Sequence, residues 1–387
     1  MQRIKVLHII THLPIGGAQD NTLLTVEGLN KKKYDVTLLT GPGGEWLTRA
    51  RNIPNLNAII VPEIVREINF ICDFISIIKI FRIIKEYKFD IVHTHSSKPG
   101  FSGRIAAKLA KVPCIIHTIH GFPFHDFMPW WSRTFYITLE KCLAKFTDKL
   151  ITVCDLNKEK AIQLKIGPPE KFKTIYSGID FSKFEIENKV NKHELLNMSI
   201  NGPLVGMIGR LSEQKAPHIF INAIPLILEK IPDAIFILVG DGELRQKVES
   251  LIKKLRIQDH TFILGFRDDI PQILSILDVF VLSSFWEGLG RSLTEAMYMK
   301  CPVVATKVEG VPELVEHNEM GFLVPPNNPD AIAKGVIELL GNQEKARIMA
   351  LKAHERVVHD FSVQKMVFDI DNLYNKLFLK MNFESYV

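Results

Sequence analysis

The sequence predicts an α/β fold made of two doubly wound, parallel-sheet domains, and three observations carry that expectation. Short β-branched runs alternate with longer helical periods along the chain, and such alternation buries a parallel sheet between layers of helix. The scheme is used twice, once before residue 177 and again after residue 201. The 387 residues suffice for two domains of ordinary size, and 47% hydrophobic with 24% charged residues is the balance of a soluble globular chain.

In the first half, residues 4–10, 35–40, 57–61, 91–95, 114–118 and 149–153 read as strands. Residues 19–29, 70–87, 100–111 and 132–146 carry the 3.6-residue period of helices. In the second half the strands are 204–208, 234–239, 261–264, 279–282, 303–305 and 321–324. The helices there are 215–230, 243–255, 269–276, 292–300, 311–317 and 330–340. The crossing falls near residues 177–182, and a polar stretch, 185–201, precedes the next strand. The expected domains are 1–180 and 181–362, with 363–387 a helical tail packing back on the first.

Composition narrows the function classes. The apolar run 6–10 is too short for a signal peptide. The oily region 68–84 is broken by Asp73, Lys79 and Arg82, so it reads as an amphipathic core helix and not a membrane span. Five cysteines without a CxxC pair fit a reducing cytoplasm, with no disulfide frame and no zinc ribbon. Residues 1–180 hold 25 Lys and Arg against 16 Asp and Glu, and the remainder holds 23 against 27. A basic first half suits an anionic partner such as a phospholipid surface or a lipid diphosphate. The basic residues are scattered and accompany no nucleic-acid-binding motif, which points away from nucleic acid.

In open parallel sheets, ligands bind beyond the carboxyl ends of the strands. Gly16-Gly17 follows the first strand, and Gly209-Arg210 with Lys215 follows the first strand of the second half. Two cations leaving a strand end before a helix can hold a diphosphate and balance the charge that grows on it as a sugar departs. The segment 283–297 places Glu287 and Glu295 eight positions apart, with Gly288, Gly290 and a helix start between them. Glycines admit close backbone approach, a helix N-terminus favours an anion, and carboxylates accept hydroxyl protons. Together these groups suit a nucleotide sugar. The alternative is a capped surface helix with two solvated glutamates.

His93 and His95 share one strand face, and His117 and His120 end a further strand. A zinc site there lacks an acidic or cysteine partner set, so His120 is expected on a sugar hydroxyl and the others as packed or orienting groups. The single Asp-x-Asp pair, Asp369 and Asp371, lies in the tail and reads as a solvated face. Arg210, Lys215 and the helix start at 290–292 can replace a divalent cation, so no metal and no other cofactor is expected.

Taken together, these residues resemble the GT4 family of retaining glycosyltransferases, which have the GT-B fold with two Rossmann-like domains facing a central cleft. The resemblance is carried by Gly16-Gly17-Ala18-Gln19, His93-Thr94-His95, Thr118-Ile119-His120-Gly121, Ser177-Gly178-Ile179-Asp180, Gly209-Arg210-Leu211 with Lys215, Val239-Gly240-Asp241-Gly242, Gly265-Phe266, the Glu287/Glu295 unit and the run 301–306. It implies that Arg210 and Lys215 bind the donor diphosphate, Glu295 the ribose and Glu287 the transferred sugar. Backbone N–H groups of Leu289, Gly290, Arg291 and Ser292 would support sugar and phosphates. Gly16 and Gly17 would face the diphosphate, His120 the reacting sugar, and Phe266 and Arg267 the base. Glu287, His120, Arg210 and Lys215 are thus the catalytic candidates. Three positions depart from the usual pattern: Gln19 where an acid is frequent, Ala216 where Gly is common, and Arg291 in the glycine loop. Arg291 suits a charged donor such as a hexuronic acid, or a phosphate.

Phe122, Phe124, Phe127, Trp130 and Trp131 crowd the segment after His120, where rings can stack on sugars or meet lipid headgroups; a buried loop is the alternative. The expected activity is retaining, metal-independent transfer from a nucleotide-diphosphate sugar, UDP-linked, to a glycan or polyprenyl-diphosphate-linked acceptor in surface polysaccharide or glycoconjugate synthesis. The expected place is the cytoplasm, at the inner face of the cell membrane. The competing readings are a non-hydrolysing nucleotide-sugar epimerase of the same fold and an inactive scaffold.

Overall fold

The computed structural model describes residues 3–67, 69–125, 127–186 and 190–384, with side chains to residue 380. Asp126 of the aromatic segment, 187–189 of the polar stretch and 385–387 of the tail lie outside the described residues. The chain forms two compact units, residues 1–178 with 363–387, and residues 179–362.

The first unit runs β1 (Ile4–Ile10), α1 (Gly17–Gly28), β2 (Tyr34–Thr40), α2 (Leu47–Asn52), β3 (Leu56–Ile60), α3 (Phe70–Tyr87) and β4 (Ile91–His95). It continues through α4 (Ser97–Ala110), β5 (Cys114–Ile119), α5 (Trp130–Ala144), β6 (Lys149–Thr152), α6 (Asp155–Gln163) and β7 (Phe172–Thr174). All seven strands are parallel, in the order β3-β2-β1-β4-β5-β6-β7. Order reverses at β1, so the loop carrying Gly16 and Gly17 leaves the sheet at its switch point.

The second unit runs α7 (Lys192–Leu196), β8 (Leu204–Ile208), α8 (Pro217–Leu228), β9 (Ile235–Val239), α9 (Arg245–Leu255), β10 (Thr261–Gly265), α10 (Ile270–Ile276) and β11 (Val279–Leu282). There follow α11 (Arg291–Tyr298), β12 (Val303–Thr306), α12 (Val311–Leu314), β13 (Phe322–Val324), α13 (Pro329–Gly341) and α14 (Gln343–Asp360). Its six parallel strands take the order β10-β9-β8-β11-β12-β13, with the reversal at β8. The inner strands of both sheets are buried on their two faces, which is why β8 and β11, for example, read as unbroken apolar runs.

The last helix, α15 (Val363–Glu384), belongs to the first unit and packs on α1. Met366, Ile370, Leu373 and Tyr374 enter the core beneath β1 and β2. Asp371 is not a solvated face: it accepts from Lys33 Nζ at 2.8 Å and Tyr34 Oη at 2.6 Å, tying the helix to the start of β2. The helix α3 is amphipathic, but only in part a core helix. Ser76, Ile80 and Ile84 are buried, whereas Phe70, Ile71 and Phe74 stand in solvent.

Candidate functional site

The carboxyl ends of β8 and β11 are neighbours, because Val279 pairs with Val205 and Phe280 with Gly206. Two loops therefore leave side by side and are stitched together. Phe285 N donates to Gln214 O at 2.8 Å, Gln214 Nε2 donates to Trp286 O at 3.1 Å, and Ser283 Oγ bonds Lys215 O at 3.0 Å. The close approach of β9 to this edge needs Gly240, where a Cβ would lie 2.1 Å from Gly209 O.

Within this frame Lys215 and Glu287, 72 residues apart, form an ion pair. Glu287 is 5% exposed. Its carboxylate also accepts from Ser284 Oγ at 2.6 Å, and its N–H donates to Glu309 Oε2 at 3.2 Å. Ala216, next to Lys215, holds a left-handed conformation (φ 45°) as it caps α8. Arg210 is exposed and makes no side-chain bond among the described residues. At this edge, then, a nearly buried carboxylate and ammonium share one frame with a guanidinium on the loop after β8.

Gly290 starts α11 with φ 95°, a conformation that a side chain disfavours. The first turn follows, and Ser292 Oγ is buried there without a hydrogen-bond partner. Arg291 Nε donates to Glu295 Oε1 at 2.9 Å, so the unusual cation at the start of α11 is held by a carboxylate one turn on. At the end of β10, Phe266 is 68% exposed, whereas Arg267 is committed to Asp269, whose hydrogen bonds raise the guanidinium above its ordinary range. The structure thus brings Lys215 and Glu287 together, and separately Arg291 and Glu295. Ser284, Glu309 and Asp269 are partners that sequence patterns gave no sign of.

The other candidates lie in the first unit. Gly16 precedes α1 in an extended conformation, and Gly17 opens the helix. His120 follows β5 and is half-buried. It ends a run of stacked imidazoles, His8, His93 and His95. Ring nitrogens of those three lie within 4.8 Å of one another, yet they are engaged in hydrogen bonds to each other and to Tyr374. Phe122 and Phe124 stack at 4.7 Å, with Phe124 buried, while Phe127, Trp130 and Trp131 are exposed. The aromatic segment is therefore half core and half surface.

Burial keeps these imidazoles neutral. It lowers His8 to about 3 and His120 to about 4, and it lowers His93, His95 and His117 as well. Unfolded imidazoles take protons as pH falls below about 6.5, whereas folded His120 does so only near 4 and folded His8 only near 3, with His93, His95 and His117 lowered in the same direction. Stability should therefore rise with pH across this window and level off above it. Melting temperatures measured between pH 5 and 7 should climb steeply; a flat curve would show that these groups titrate normally.

Residues 15–183 match the family described as Glycosyltransferase Family 4, and residues 191–356 match Glycosyl transferases group 1. An Escherichia coli enzyme, UDP-Gal:alpha-D-GlcNAc-diphosphoundecaprenol alpha-1,3-galactosyltransferase, is 34% identical over 380 residues, 96% of this chain and 97% of its own. The capsular polysaccharide biosynthesis glycosyltransferase CapM of Staphylococcus aureus is 25% identical over 391 residues, 98% of this chain and 99% of its own. HepE of Anabaena, solved with UDP and glucose, has a TM-score of 0.85 at 22% identity, over 97% of this chain and all of that one. With this family match spanning both units and both sheets wound in the same way, the chain belongs to glycosyltransferase family 4 and is a glycosyltransferase of GT-B fold.

Proposed function

We propose that the chain transfers a hexosyl group from a UDP-sugar to a polyprenyl-diphosphate-linked saccharide, with retention of configuration and without a metal, in surface polysaccharide or glycoconjugate synthesis. The observation that carries this reading is the near full-length match to a galactosyltransferase whose name gives a UDP donor and a diphosphoundecaprenol acceptor. The Lys215–Glu287–Ser284 network supplies the chemistry. A fixed ammonium beside the departing diphosphate stabilises charge where it develops, at little cost in reorganisation. Glu287 holds Lys215 in position and offers a carboxylate to the sugar. The first turn of α11, with the unpartnered Ser292 hydroxyl, receives a sugar hydroxyl or a phosphate oxygen. Arg210 completes the diphosphate contacts, Glu295 takes the ribose, and the exposed Phe266 ring stacks on the base. Within the first unit, Gly16 and Gly17 at the start of α1 and His120 after β5 are the candidates for phosphate and sugar.

The test is transfer from labelled UDP-sugars to a synthetic GlcNAc-diphosphoprenol, with the anomeric configuration of the product read by NMR. A retained linkage supports the proposal. Conversion of the donor to its epimer without an acceptor overturns it.

No helix among the described residues is long and apolar enough to cross a membrane. Phe70, Ile71 and Phe74 on α3, and Trp130, Trp131 and Phe135 on α5, are nevertheless more than half exposed, and both helices pack on α4. Rings and aliphatic chains beside a basic domain suit the headgroup boundary of an anionic bilayer. Such docking would bring the enzyme to the inner face of the cell membrane, where a lipid-linked acceptor is held. Sedimentation with phosphatidylglycerol vesicles at low salt should capture the protein, and the Phe70→Ser, Phe74→Ser, Trp130→Ser triple variant should lose most of that capture. Equal recovery of both proteins would remove membrane docking.

A further inference from the structure

We propose that Tyr374 and Thr118 set the tautomer of His120 through a chain of hydrogen-bonded histidines, so that His120 presents a bare Nδ1, an acceptor, toward its ligand. The chain has five links. His120 Nε2 meets His95 Nδ1 at 3.2 Å, and His95 Nε2 meets His8 Nδ1 at 2.9 Å. His8 Nε2 meets Tyr374 Oη at 3.2 Å, Tyr374 Oη meets His93 Nδ1 at 2.5 Å, and His93 Nε2 meets Thr118 Oγ1 at 2.7 Å. Thus β1, β4, β5 and α15 all contribute. His8 and His93 face each other in register across β1 and β4, and His8, His93 and Tyr374 are completely buried. His120 Nδ1, at the open end, makes no hydrogen bond among the described residues, and the ring borders a recess shared with Ser96, His117 and Phe122.

A neutral imidazole carries one N–H, so it donates through one nitrogen and accepts through the other. Burial keeps every ring in the chain neutral. The direction of donation at one link therefore fixes it at all of them. Tyr374, with a single proton, chooses the direction. Hydroxyl donors make shorter bonds than N–H donors, so the 2.5 Å contact is Tyr374 donating to His93 and the 3.2 Å contact is His8 donating to Tyr374, while the 2.7 Å His93–Thr118 contact fits either donor and follows from these two. His93 then donates through Nε2 to Thr118. In the other direction, His8 Nδ1 is bare and accepts from His95 Nε2–H. His95 Nδ1 accepts in turn from His120 Nε2–H. The Nδ1 lone pair of His120 is left to accept from a hydroxyl. The reverse polarity would present an N–H there, and a hydroxyl ligand would have to turn its own proton away.

Tyr374 and Thr118 are positioning residues on this account. Replacing Tyr374 by Phe keeps the ring but removes the acceptor for the buried His8 N–H. Leaving that donor unpaired is costly, so His8 moves its proton to Nδ1 and the chain reverses. Replacing Thr118 by Val removes the acceptor for His93, which then protonates at Nδ1 and donates to Tyr374. The Tyr374 hydroxyl turns to His8, with the same reversal.

The tautomers are read from long-range 1H–15N correlation spectra of histidine-labelled wild type, Tyr374→Phe and Thr118→Val. The expected result is Nε2–H at His120 in the wild type and Nδ1–H in both variants. A wild-type His120 protonated at Nδ1, or one unchanged in both variants, overturns the chain. Should Tyr374→Phe fail to fold, Thr118→Val, outside the tail helix, decides alone. The functional consequence rests on the proposed place of His120 beside the sugar. Both variants should lose at least tenfold in kcat/KM for transfer while UDP affinity stays within twofold. Switched tautomers with unchanged transfer overturn that consequence. A wild-type protein that transfers nothing overturns the proposed function and leaves the tautomer result standing.

Discussion

Replacing Lys215 by alanine is expected to lower kcat/KM for glycosyl transfer by roughly two to three orders of magnitude, the loss typical of removing one preorganised donor from a site where charge develops. Its ammonium is ion-paired to Glu287, and its backbone carbonyl is bonded to Ser283, so loop and head group are both fixed before a ligand arrives. In the proposed role the same cation serves bound diphosphate and leaving diphosphate, so UDP affinity should fall in parallel. Glu287→Gln should behave differently. It keeps the Ser284 bond and the shape of the site but loses the charge that steadies Lys215, so transfer should fall while UDP still binds. Calorimetric titration with UDP and steady-state transfer separate the two. Wild-type turnover in both variants would remove this network from catalysis.

The largest expected effect on stability lies elsewhere, between α4 and α5. Arg104 is completely buried; its Nε donates to Gly100 O at 2.6 Å, and its Nη2 reaches both carboxylate oxygens of Glu140 at 2.9 and 3.1 Å. Arg104→Met leaves Glu140 charged, 4% exposed and without its cation, which should cost about 3–5 kcal/mol. For a unit of this size, that is a fall of roughly 6–20 °C in the melting temperature. The double variant Arg104→Met, Glu140→Leu should recover most of the loss, because an apolar pair of similar volume suffers no desolvation. Equal melting points for the single and double variants would show the pair to be solvated.

What the sequence made legible follows from periodicity. Strands buried on both faces announce themselves, as Leu204–Ile208 and Val279–Leu282 do. The helix α14 went unseen because alanines line much of its buried face, at Ala346, Ala350 and Ala353, and alanine gives little contrast with solvent-facing positions. The strand β7 has three residues, too few for a period. Lys215 and Glu287 were legible as strand-end residues, but their pairing was not, since it depends on β8 lying beside β11. The same holds for Arg104 with Glu140, and for His8 with Tyr374, 366 residues apart. Spacing along a chain reports what shares an element; it is silent about what meets across elements. The exposed apolar turns of α3 were misjudged for a related reason: periodicity identifies an oily stripe without saying what covers it.

The tail helix carries a consequence for biosynthesis. A ribosome must finish residues 179–362, which form a unit of their own, before it makes the helix that seals the first sheet. Until Tyr374 emerges, the nascent amino-terminal lobe displays bare imidazoles and an uncovered greasy floor beside β1. A holdase chaperone should therefore engage that lobe late in translation, long after the intervening lobe has compacted.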